Sequence, residues 1–259
     1  MTSQKLEVGR GDLRRILSLR RVAITALIVG LLVGTTVAFA VTQALKLERS
    51  PIKRPRVSQA LSPTCDCPQA IARLTFLLRR ADTLDIDIVD EDGQEVRRLE
   101  EGTHHPAGPV GLRWDGRDEQ GAVVPDGDYR LRVHLEDDRR TIVIPNRMRV
   151  DTDAPRIQVV SLEPRLITPD GDGRRDFMVI RARVNEHALP LVLIDGALAD
   201  RGRWTARGGT SFRWRGTVRG DSLPAGRYEL ALQARDSAGN LSVPTAPTLV
   251  RIRLPRASR

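Results

Sequence analysis

Three carboxylates, Asp170, Asp172 and Asp176, stand within seven residues and are interleaved with Gly171 and Gly173. Glycines let a chain fold tightly around a centre, and a set of carboxylate and carbonyl oxygens suits a hard cation, calcium above all. The alternative is a solvated turn whose Asp side chains accept hydrogen bonds from their own backbone amides. The spacing is not that of a full EF-hand, and the distal Glu is missing. The second candidate group is Cys65-Asp66-Cys67, which holds both cysteines of the chain. A disulfide between them closes a small ring, and a bond to a second chain is the alternative. Zinc or redox chemistry lacks a second cysteine pair, and His104 and His105 stand in a Gly/Pro stretch without ligand spacing to the first.

One nucleophile has a suggestive context. Gly220-Asp221-Ser222-Leu223 spells the opening of an esterase family, but Ser222 would need a His base, and the last His of the chain is His187. Arg219-Gly220-Asp221 is an adhesion tripeptide, and Arg10-Gly11-Asp12 shows how readily it arises in an Arg-rich chain. With no nucleophile–base pair in supporting context, the reading is a non-enzymatic binding or scaffold protein, with a cell-envelope hydrolase as the competing class.

The elements that position these residues repeat. Trp114-Asp115-Gly116-Arg117-Asp118 runs on to Pro125-Asp126-Gly127-Asp128-Tyr129, and Trp214 with Gly216 is followed by Pro224-Ala225-Gly226-Arg227-Tyr228, so Trp recurs after 100 residues and Tyr after 99. Two units of about one domain each therefore stand in tandem. Pro63 and Pro169 are 106 apart, which places Thr64, Asp66 and Ala70 on Asp170, Asp172 and Asp176, and Cys65 and Cys67 on Gly171 and Gly173. A covalent link in the first loop would then hold what an ion holds in the second. Short alternating runs such as Leu84–Ile88 and Tyr129–Val133, with turn signals about every ten residues, predict antiparallel sandwiches. Trp114, Tyr129, Trp214 and Tyr228 are expected in the cores, each Tyr heading a strand after a Pro-x-Gly turn.

These motifs resemble the Ig-like domain of the bacterial flagellar hook-capping protein, a module of many secreted bacterial proteins. The resemblance covers residues 62–150 well and 168–253 more loosely. The loop Thr168 to Asp176 is similar to the opening of bacterial surface Ig-like domains. The hook-binding N-terminal region is absent, so the resemblance implies fold rather than a flagellar role.

Charge is distributed unevenly. The formal net charge of +9 suggests nucleic acid at first, but residues 1–60 carry eleven basic and three acidic side chains, leaving 31 against 30 beyond. With few aromatics available as a base-stacking platform, nucleic acid is not expected as a partner. Residues 22–45 contain no charge, and at about 1.5 Å per residue they would span roughly 36 Å, enough for a bilayer core. The expected order is a cytoplasmic basic tail at 1–21, a transmembrane helix at 22–45, a Pro/Arg stalk at 46–60, and extracytoplasmic Ig-like domains at 61–153 and 154–255, joined by a hinge at 150–155. Ala38-Phe39-Ala40 also fits a cleaved signal peptide, which would release the domains. Expected partners are the membrane and a protein or envelope polymer, and the function is adhesion, spacing or scaffolding. The alternative is an accessory subunit of a secretion, motility or wall-assembly machine.

Overall fold

The computed structural model describes residues 27–39 and 50–254. The described residues fall into two units divided between Pro51 and Ile52. In the first, residues 27–39 are helical, and among the described residues no helix is long and apolar enough to cross a membrane. The remainder of the apolar run, the tail 1–21 and the Ala40 cleavage position lie outside the described residues.

The second unit is built from strands. In chain order these are β1 (Ile52–Val57), β2 (Ala60–Leu61), β3 (Ala72–Leu78), β4 (Asp82–Val89), β5 (Glu95–His105), β6 (Gly108–Trp114), β7 (Gly127–Leu135), β8 (Arg140–Val143) and β9 (Met148–Val150). They form one sheet ordered β1-β3-β6 and another ordered β2-β9-β7-β4-β5, with β8 beside β7. Side chains alternate along a strand, so Leu74, Phe76, Val110 and Trp114 of the first sheet point inward to meet Ile86, Ile88, Leu131 and Val133 of the second in one core.

The second sandwich repeats this plan with β10 (Ile157–Glu163), β11 (Leu166–Ile167), β12 (Met178–Val184), β13 (Ala188–Ile194), β14 (Ala197–Arg201), β15 (Gly208–Trp214), β16 (Thr217–Val218), β17 (Asp221–Ser222), β18 (Gly226–Asp236) and β19 (Thr248–Ile252). Its sheets run β10-β12-β15 and β11-β19-β18-β13-β14. The repeat is visible in the registers: Ala72 stands opposite Trp114 as Met178 stands opposite Trp214, and a short parallel pair closes each domain, β2 on β9 and β11 on β19.

The recurrent motif has a local cause. Each Trp is buried and donates its indole N–H to a backbone oxygen three residues on, Trp114 to Arg117 at 2.9 Å and Trp214 to Thr217 at 2.8 Å. The chain must turn at once beneath the ring. Gly116 does so at φ 70, where a Cβ would collide with the Pro63 ring, and Gly216 at φ 72 against Ile167 and Ile252. Asp115 accepts from the Arg117 amide, and Asp118 from those of Gln120 and Ala122, shaping the loop. Each Tyr donates its hydroxyl to the Pro carbonyl four residues back, Tyr129 to Pro125 and Tyr228 to Pro224, both at 2.8 Å. Gly127 and Gly226 leave room for those rings.

Two expectations are corrected. The stalk at 46–60 is not free chain throughout: Ile52–Val57 pairs with β3, and a register shift between Lys53 and Arg56 accommodates Pro55 at the sheet edge. Ile52 and Leu61 are buried, so the sandwich draws part of its core from this segment. His104 and His105 end β5 opposite Thr83 and Asp82, rather than standing in a loop.

Candidate functional site

The segment expected as a hinge, 150–155, is tied to both sandwiches. Asp126, in the turn before β7, accepts from the Thr152 amide and hydroxyl, each at 3.0 Å. On the other side the Asn240 side-chain amide lies 2.9 Å from the Asp151 carbonyl and 3.1 Å from that of Asp153. The Arg156 amide donates to Asn185 Oδ1 at 2.6 Å, and Pro155 is buried. Asn240 is itself held by Asp236, whose Oδ1 accepts the Gly239 and Asn240 amides and whose Oδ2 accepts from Asn240 Nδ2 at 2.8 Å. These bonds fasten the segment at both ends.

The same turn meets the cysteine loop. Cys65 and Cys67 are disulfide-bonded within the chain. Gly239, at φ 99, sits so close to Cys67 Sγ and Gln69 that any Cβ there would overlap the sulfur. The Cys-x-Cys ring is therefore part of the surface on which the second sandwich rests.

Beside this contact three carboxylates converge. One oxygen each from Asp151, Glu186 and Asp236 lies within 4.8 Å of the others. Asp236 is buried, at 3% exposure, and the other two are half-buried. Burial pushes the Asp151 and Glu186 carboxyls above their ordinary range, and the facing charge of Asp236 adds to the effect in both. A cation held among these oxygens would remove that repulsion, and an all-oxygen donor set suits calcium over a transition metal.

Asp170, Asp172 and Asp176 also converge, with one oxygen each inside 4.8 Å, but Asp170 and Asp172 are exposed. Their oxygens already accept backbone amides: Asp176 those of Gly171 and Gly173, both at 2.9 Å, Asp170 that of Asp172 and Asp172 that of Arg174. This is the geometry of a self-capped turn, and the free lone pairs of the same carboxylates could still face an ion. In the first repeat the Cys65–Cys67 disulfide lies between β2 and β3, the place that this loop takes between β11 and β12.

Two further places define the surface. Trp204, outside the repeat, is 46% exposed and stacks on His187 with ring centroids 5.1 Å apart. Ser222 lies exposed in β17 opposite Thr217, at the hairpin tip that includes Arg219-Gly220-Asp221. The junction carboxylates were missed in the sequence because they come from three separate places. The available signal was Asp236-Ser237-Ala238-Gly239-Asn240, a turn in which Gly supplies positive φ between two polar side chains able to cap it.

Residues 69–138 match the model of the FlgD Ig-like domain. No curated protein matches the chain. Solved structures with a similar arrangement include the fibronectin(III)-like modules of CbhA from Clostridium thermocellum, at 14% identity and TM-score 0.42 over 80% of this chain and 96% of that one. FlgD from P. aeruginosa is 19% identical with a TM-score of 0.29, covering 44% of this chain and 82% of its own. A bacterial ice-binding adhesin gives 16% identity and a TM-score of 0.29 over 80% and 66% of the two chains.

Proposed function

We propose that this chain is a non-enzymatic spacer and binding module of the bacterial cell envelope, with two Ig-like sandwiches displayed outside the membrane behind an N-terminal anchor at 22–45 and the basic tail 1–21 inside. The observation that carries it is the fastened junction. Asp126 on one side and Asn240 on the other hold the six-residue connector, with Asn185 bonding Arg156 just beyond it, an arrangement that suits presentation rather than turnover. Calcium is the cofactor this reading calls for, held by Asp151, Glu186 and Asp236 at the junction and by Asp170, Asp172 and Asp176 at the second-domain loop.

The test is a distance measurement. Spin labels at His134→Cys and Arg227→Cys, one in each sandwich of the full chain in detergent, report the spread of interdomain distances. A narrow distribution supports a rigid spacer. A broad one that calcium does not narrow would falsify it. Protease protection of the sandwiches in intact cells, against degradation after permeabilisation, would place them inside and remove the envelope reading. The runner-up is an accessory subunit of an envelope machine, favoured by the family match at residues 69–138. Deleting residues 1–21 separates the two, since only a subunit that also binds through its inner tail would lose function.

A further inference from the structure

The outer face of the β1-β3-β6 sheet is cationic and has no acidic counterpart. Its three strands contribute Lys53, Arg54, Arg56, Arg73 and Arg113 and contain neither Asp nor Glu. The opposite sheet of the same sandwich carries seven acidic residues on its strands, offset there by Arg97, Arg98, Arg130, Arg132, Arg140 and Arg149. Three of the five cations, Lys53, Arg54 and Arg56, come from the basic segment 1–60, and what sets this sheet apart is that its strands hold no acidic residue to offset them.

The registers place the cations. Along the outward rows Lys53 stands opposite Leu77, Arg56 opposite Thr75, and Arg73 directly opposite Arg113. Outward rows recur about every 7 Å along a strand, so the positive charges line a face about 14 Å long. All five side chains are exposed, and none is ion-paired with a carboxylate among the described residues. Two like charges directly across a pair of strands oppose folding. An external anion would relieve that opposition.

The relief of the face selects the anion. Its centre is Thr75 opposite Gly111, with nothing within 4 Å of where a Gly111 side chain would start, so the floor is low and the cations stand around it. An extended chain can lie across such a floor. The face offers no aromatic ring on which a base could stack. Its apolar content, Leu77 and Pro109, is too small for insertion into hydrocarbon.

We propose that the outer face of β1-β3-β6 binds a linear anionic polysaccharide, its carboxylates or phosphates paired with Arg56, Arg73 and Arg113. The inference deepens the envelope reading above and rests on it only for where such a polymer would be met.

The test is fluorescence anisotropy of a labelled oligogalacturonate of about ten sugars, titrated with the full chain in uncharged detergent. Binding should weaken as salt rises and the charges are screened. It should fall about tenfold or more in Arg73→Ser/Arg113→Ser, and in Arg56→Ser to a smaller degree. It should be nearly unchanged in Arg207→Ser/Arg219→Ser, which removes the same charge from exposed sites in the second sandwich. Thermal melts of the Arg73/Arg113 variant should be no lower than those of the parent, since a like-charge pair has been removed. No binding by the parent at low salt overturns the proposal. So does an equal loss in the two double variants, which would indicate net charge alone, or tighter binding to a glutamate decapeptide or to anionic vesicles. Each of these would leave a narrow interdomain distance, and the spacer reading, intact.

Discussion

The Asn240 side-chain amide lies 2.9 Å from the Asp151 carbonyl, joining a turn of the second sandwich to the connector 89 residues earlier in sequence. Asn240 is itself buried, at 7% exposure. Removing it leaves the carbonyls of Asp151 and Asp153 and one oxygen of Asp236 without this donor. Asn240→Ala should therefore cost about 1–3 kcal/mol. The loss should fall on the coupling between domains more than on either core. Calorimetry should show one transition resolving toward two, and the distance distribution between labelled sandwiches should broaden.

The junction carboxyls should make that coupling pH-dependent. Asp151 and Glu186 have folded values raised above their unfolded ones, so the native state holds protons more tightly than the unfolded chain. Their contribution is then fully present below the ordinary carboxyl range near pH 4 and is lost as pH rises through the raised values. In chelator, the parent should gain more stability than Asp151→Asn/Glu186→Gln when moved from pH 7 to pH 5. Urea melts at the two pH values measure this difference, and identical pH slopes would contradict the assignment.

Calcium should act at neutral pH, where those carboxyls repel. The ion is expected to raise the melting temperature of the parent at pH 7, and to do so much less in Glu186→Gln. Asp172→Ala separates the exposed loop from the junction. If it abolishes the calcium effect while Glu186→Gln retains it, the loop is the relevant site and the junction is held by hydrogen bonds alone. Titration calorimetry of each variant reads the outcome.

Gly116→Ala should destabilise the first sandwich by about 2 kcal/mol or more, combining the cost of a left-handed backbone with overpacking against Pro63. Gly111→Ala is the control, since it has open space above it and an ordinary strand conformation. It should fold normally, with any loss near the propensity scale of about 1 kcal/mol or less. Thermal melts of both distinguish a steric requirement from a general intolerance of side chains at glycine.

Asp87 offers a separate test of the first core. It is buried at 4% exposure and accepts from Arg98 and from two nitrogens of Arg132, at 2.8 to 3.0 Å. Each Arg is partly solvated, so the pairs are weaker than fully buried ones. Asp87→Ala should cost about 1–3 kcal/mol, with the second sandwich unaffected.

Much of this protein was legible in the residues alone because its information is local. Alternation at Leu84–Ile88 and Tyr129–Val133 specifies which side chains face inward, and a Trp followed two residues later by Gly specifies a tight turn under a buried ring. The recurrence of those signals after about a hundred residues identified two sandwiches of one kind. Pro55 misled because proline reads as a break in a strand, whereas an edge bulge tolerates it. The connector misled for a different reason. Val150 to Pro155 carries no periodic apolar signal, so its sequence reads as free chain, and the side chains that bond it, Asp126 and Asn240, are not its neighbours in sequence. The convergence of Asp151, Glu186 and Asp236 was invisible for the same cause. A carboxylate's burial, and the charge it faces, depend on which loops the packing of two domains brings together, and only the tertiary structure decides that.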